Sequence, residues 1–85
     1  MQAECTLADL ACGGEGKVSA LKMSGEMRRR LMDLGFVPGT HVTCVHVSPL
    51  GDPTAYALRG AVIALRARDA RGVLVNAKGD QHGSI

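Results

Sequence analysis

The chain has 85 residues, a net charge of +2 and 46% hydrophobic residues, enough for one compact domain and too little for a second. With one Tyr, one Phe and no Trp, it lacks the stacking platforms on which binders of single strands and RNA depend. Its three cysteines, Cys5, Cys12 and Cys44, are odd in number and have no short paired spacing, which speaks against a disulfide framework or a zinc knuckle and for a reducing cytoplasm.

Nothing in the sequence approaches the roughly 20 apolar residues of a spanning helix. Leu10-Ala11-Cys12 lacks the basic start and apolar run of a secretion signal, because Glu4 and Asp9 stand where those would be. A soluble protein is expected. Charge is uneven: residues 1–27 carry two lysines against four acids, and residues 28–78 carry eight bases against three acids. Such asymmetry suits an acidic partner, although scattered exposed charge also serves solubility.

In chain order, Leu7-Ala8-Asp9-Leu10 reads as a short 3₁₀ turn, and a first strand is expected over Lys17 to Met23, entered through Gly13-Gly14-Glu15-Gly16. A helix follows over Gly25 to Leu34. Ser24 can cap it, Glu26 suits its positive end and Gly35 can take the left-handed closing conformation. Met27, Leu31 and Leu34 share one face, expected to close a barrel end. Arg28, Arg29 and Met32 point away, and Glu26 with Arg30 and Arg29 with Asp33 are spaced as i,i+4 ion pairs.

Phe36-Val37-Pro38-Gly39 turns into a second strand, Thr40 to Ser48, with Val42, Cys44 and His46 on one side. The loop Ser48 to Pro53 is stiffened by two prolines. Strands at Ala55 to Leu58 and Ala61 to Arg66 flank a hairpin turn at Arg59-Gly60. One helical turn at Arg68-Asp69-Ala70 precedes a last strand, Gly72 to Ala77. Five short strands and one short helix between the first two can satisfy their edges by curling into a small barrel with meander connections. The domain is expected over residues 1–78, with residues 79–85 as a disordered tail.

The chemistry on offer is sparse. Gly13 to Lys17 imitates a phosphate-binding loop, but that pattern requires glycine where Ala11 stands and a hydroxyl where Val18 stands, and it opens a helix rather than a strand. Cys44 with His46 is the minimal inventory for a thiol nucleophile, without an oxyanion site beside it. No enzyme is expected. His41, Cys44 and His46 are the candidate ligands of an adventitious surface metal site, lacking the i,i+3 or i,i+4 spacing of a dedicated one, so a divalent transition metal is at most weakly held and no cofactor is required. Arg28-Arg29-Arg30 raises nucleic-acid binding as a rival, opposed by the shortage of aromatics and a pI of 8.6.

Several of these stretches together resemble the FeoA family: Arg30-Leu31-Met32-Asp33-Leu34-Gly35, Val37-Pro38-Gly39, Pro49-Leu50-Gly51-Asp52-Pro53, Arg59-Gly60, and Ile63-Ala64-Leu65-Arg66 leading to Asp69-Ala70. The resemblance runs from about Leu7 to Ala77. It implies an SH3-like barrel and a cytoplasmic accessory of ferrous iron uptake. That accessory assists FeoB, a membrane transporter with a GTP-binding domain, and meets the inner membrane only through it. The alternative is a small SH3-like nucleic-acid-binding or metal-responsive regulatory domain. For docking, the residues that combine exposed apolar anchors with charge are Arg28, Arg29 and Met32 of the helix and Leu50 and Asp52 of the stiff loop. Uncovered strand edges also leave room for a weak homodimer.

Overall fold

The computed structural model describes residues 3–77, which form one six-stranded antiparallel sheet with three short helical pieces. In chain order these are β1 (Ala3–Thr6), a 3₁₀ turn (Leu7–Asp9), β2 (Glu15–Leu21), α1 (Gly25–Leu34), β3 (His41–Val47), β4 (Thr54–Leu58), β5 (Ala61–Leu65), α2 (Ala67–Ala70) and β6 (Val73–Ala77). The strand order is β1-β6-β2-β3-β4-β5. The fold is mainly β, with the single long helix where the sequence predicts it.

Two details correct the expected barrel. Six strands form instead of five, because Ala3–Thr6 pairs with β6 from Ala3↔Ala77 to Thr6↔Leu74. The order is also no simple meander: β2 to β5 follow one another, whereas β6 returns to lie between β1 and β2. Among the described residues the sheet leaves β1 and β5 as its edges. The expected tail at residues 79–85 lies outside the described residues.

Alternation along the strands builds the core. Val18 of β2, Val42 and Cys44 of β3, Tyr56 and Leu58 of β4, Leu65 of β5 and Val73 and Val75 of β6 are buried, joined by Leu7, Leu31, Phe36 and Ala70. Each large apolar side chain removed from water in this way contributes about 1.5–3 kcal/mol. Gly16 permits a close approach between β2 and β6: a Cβ there would lie 3.0 Å from the Asn76 carbonyl oxygen, so a larger residue would make β6 give way by a few tenths of an ångström.

The turns follow from their residues. Arg59 and Gly60 both have positive φ, 52° and 81°, as a two-residue hairpin of the primed type requires. Gly35 ends α1 at φ 112°, and the Phe36 N–H then donates to the Leu31 carbonyl at 3.0 Å. Ser24 stands at the start of α1, but its hydroxyl makes no capping hydrogen bond.

Candidate partner-docking site

The inward stripe of α1 places the helix. Leu31 is fully buried and Met27 packs against the core, but Leu34 is 44% exposed. The apolar stripe runs on through the last turn while the barrel wall beneath it does not, so Leu34 lines an open groove between α1 and the end of β5. The outward face carries Arg28, Arg29 and Met32, which line a second groove with Glu26 and Asp33. Met32 is half-buried there and both arginines are exposed. Neither i,i+4 pair expected on this helix forms: among the described residues the ion pairs are His41–Glu15, Arg66–Asp52 and Arg68–Asp69. At an exposed site a pair gains little in water and loses rotamer freedom, so little is lost by leaving these two pairs unformed.

Leu50 is 93% exposed at the tip of the stiff loop. The loop is tied at its base, where the Ser48 N–H donates to the Pro53 carbonyl at 3.3 Å and the Gly51 N–H donates to the Ser48 carbonyl at 2.7 Å. Asp52 is committed internally. Its Oδ1 accepts the Ala67 N–H at 2.8 Å, satisfying a free amide at the start of α2, and its Oδ2 lies 3.8 Å from Arg66 Nη1. The five predicted docking residues therefore divide. Arg28, Arg29 and Met32 form one surface, Leu50 projects from a separate loop, and Asp52 holds that loop to α2.

The predicted metal trio is not brought together. Cys44 points into the core, and burial pushes its thiol above the ordinary value, with Cys12 nearby adding to the effect and a backbone hydrogen bond at His46 opposing it. His41 sits on the opposite, exposed side, its Nε2 3.0 Å from Glu15 Oε1. His46 was expected beside Cys44, but the register against β4 shifts between Cys44 and His46, and this bulge turns His46 out to solvent. Among the described residues no three His, Cys, Asp or Glu side chains cluster as metal ligands. A thiol held protonated in an apolar interior is also a poor ligand and a poor nucleophile.

Phe36 and Tyr56 are both buried, so neither offers a ring to a base. The Tyr56 hydroxyl donates to the Leu7 carbonyl at 3.2 Å, and burial, with Cys44 adding to it, pushes its pKa up to about 12. Arg66 and Arg68 escaped the sequence reading of the site. The signal was present as two arginines flanking Ala67 after an apolar strand, yet only the fold sets them beside α1.

Set against known proteins, residues 5–77 match the FeoA domain family. The chain is 32% identical over 69 residues to an Fe(2+) transport protein A/Fe(2+) transporter FeoB fusion protein of Porphyromonas gingivalis, covering 81% of this chain and 8% of that protein. It therefore spans only a small part of that relative. The FeoA-like protein of Clostridium acetobutylicum superposes with a TM-score of 0.86 at 31% identity, over 99% of this chain and 98% of that one. The FeoA of Stenotrophomonas maltophilia, solved with zinc and described as a prokaryotic SH3 domain protein, has a TM-score of 0.75 at 31% identity, over 84% and 88% of the two chains. A match over nearly the whole chain, carried on the same SH3-like sheet, places this protein in the FeoA family.

Proposed function

We propose that this protein is a non-enzymatic accessory of ferrous iron uptake that acts by docking on the cytoplasmic, GTP-binding part of a FeoB transporter. The observation that carries the reading is the Porphyromonas gingivalis fusion, in which a segment related to this chain and FeoB are one polypeptide. Fusion holds two modules at high effective concentration, which is useful where they work in contact. The site supports contact rather than chemistry, because Arg28, Arg29, Glu26, Asp33 and Met32 offer charge and an apolar side chain but no nucleophile beside a base. No described helix is long and apolar enough to cross a membrane; on this reading the protein meets the bilayer through the transporter, as the fusion suggests.

On this reading Arg28, Arg29 and Met32 form the principal contact, with Leu50 as a second apolar anchor. Docking changes uptake by binding one conformation of FeoB more tightly than another, since a ligand shifts an equilibrium only by its differential affinity. The contact needs no cofactor of its own.

The test is binding of the purified protein to FeoB cytoplasmic domains, measured by interferometry. Saturable binding is expected, weakened about tenfold or more by Arg28→Glu with Arg29→Glu, as loss of complementary charge would do. The same pair should leave thermal stability within about 0.5 kcal/mol of the parent. Absence of binding by the folded protein would overturn the partner, and binding indifferent to the double reversal would overturn the surface.

A further inference from the structure

Strand β5 is an unprotected edge. Among the described residues it pairs only with β4, from Thr54↔Leu65 to Leu58↔Ala61, and its other side has no strand beside it. Its sequence, Ala-Val-Ile-Ala-Leu, carries neither charge nor proline, the usual devices that keep an edge from pairing with other chains. Val62 is 65% exposed on it.

Beside this edge lies the groove that Leu34 lines. Its volume is about 320 Å³, its floor is built from Met27, Leu34 and Leu65, and Arg30, Arg66 and Arg68 stand around it. Three arginines face a single carboxylate in the lining, Asp69. Arg68 reaches that carboxylate only at 3.9 Å, Arg66 reaches Asp52 at 3.8 Å, and Arg30 makes no ion pair among the described residues. The volume is at the small end for an organic ligand. It suits one or two side chains of an extended segment running along the edge.

Charge selects the occupant. A second copy pairing β5 antiparallel across a two-fold axis would send Arg66 and Arg68 to opposite ends of the joined strands, where the uncharged β5 of that copy offers them no carboxylate. A segment alternating apolar and acidic residues satisfies the edge, the floor and the arginines at once. We infer that β5 and this groove receive an extended acidic segment of a partner protein as an added strand. Its backbone bonds to the β5 edge, an apolar side chain enters between Met27 and Leu34, and its carboxylates meet Arg30, Arg66 and Arg68. The surface lies on the opposite side of α1 from Arg28 and Arg29 and does not rest on the transporter proposal.

The test is a titration of the ¹⁵N-labelled full chain with two pools of extended peptides. Both alternate Val or Leu with charge, acidic in one pool and basic in the other. The acidic pool is expected to shift the amides of Ala61–Leu65 and slow their hydrogen exchange, with the basic pool silent. Arg30→Glu with Arg68→Glu should weaken binding about tenfold or more. Should that variant lose its dispersed spectrum, Arg30→Gln with Arg68→Gln removes the charge at similar length and should weaken binding in the same direction. Unmoved β5 amides, equal effects of both pools, or shifts confined to the Arg28 and Arg29 groove would each overturn the inference. So would sedimentation showing that the free protein dimerises with the same amides protected, since the edge would then belong to a second copy.

Discussion

The interior of the barrel and its arginine-bearing surface are held by different means. Inside, Tyr56, Phe36, Leu7 and Leu31 are almost fully enclosed, and the buried hydroxyl of Tyr56 finds the Leu7 carbonyl. Outside, Arg28, Arg29 and Arg30 make no ion pair among the described residues, and the pairs of Arg66 and Arg68 are long. A core fixes one arrangement because every displaced atom loses its neighbours. A solvated charge loses little by moving, so α1, anchored in the core through Leu31, can offer its arginines to a partner at small cost.

Removing a whole buried ring should mark this contrast most clearly. Phe36→Ala is expected to lower unfolding free energy by about 3–5 kcal/mol in denaturant titrations, because Phe36 is wholly buried where the chain leaves α1 for β3. A loss below about 1 kcal/mol would mean that the interior collapses around the gap, and that the two regions differ less than their burial indicates.

Tyr56→Phe sharpens the comparison by deleting only a hydroxyl. It removes one of two donors to the Leu7 carbonyl, which keeps the Leu10 N–H at 3.1 Å, for an expected loss of about 1–1.5 kcal/mol near neutral pH. Alkali supplies an independent readout. Burial holds the folded Tyr56 protonated up to about 12, against an ordinary value of 10.0. The folded state therefore binds the proton more tightly than the unfolded chain does. The resulting stability is fully present below the unfolded value and is lost as pH rises from there through the folded one. The parent should show this alkaline loss in unfolding measured by circular dichroism, and Tyr56→Phe should show a smaller one.

Asp52→Ala has the smallest expected effect, about 1 kcal/mol, since it removes one acceptor for the Ala67 amide at a half-exposed site. Hydrogen exchange at Ala67 should rise more than exchange in β6. Equal acceleration throughout would show that Asp52 supports the whole barrel rather than the join between loop and α2.

How far residues alone led can be judged from particular stretches. Arg59-Gly60, Gly35 and the proline-bounded loop announced their turns, because a positive φ or a fixed one suits few residue types. Helix α1 was legible from Gly25 to Leu34, with an apolar stripe between two glycines. Strand β1 was not: Ala-Glu-Cys-Thr alternates over only four residues without a large apolar side chain and becomes a strand through pairing with β6. Of the candidate docking residues, the outward placing of Arg28, Arg29 and Met32 follows from the helical period, whereas the hydrogen bond of Asp52 to the start of α2 could not be read from the sequence.

The sequence by itself determined the class of fold, the place of its helix and its turns, and a body short of rings and acid-base groups, since these depend on local backbone preference and composition. Tertiary structure alone decided that His46 turns away from Cys44 at a bulge, that Leu34 emerges beyond the barrel wall, and that Arg66 and Arg68 join Arg30 beside an open edge. Each of these depends on which strand lies next to which, and that is settled by packing between residues far apart in the chain.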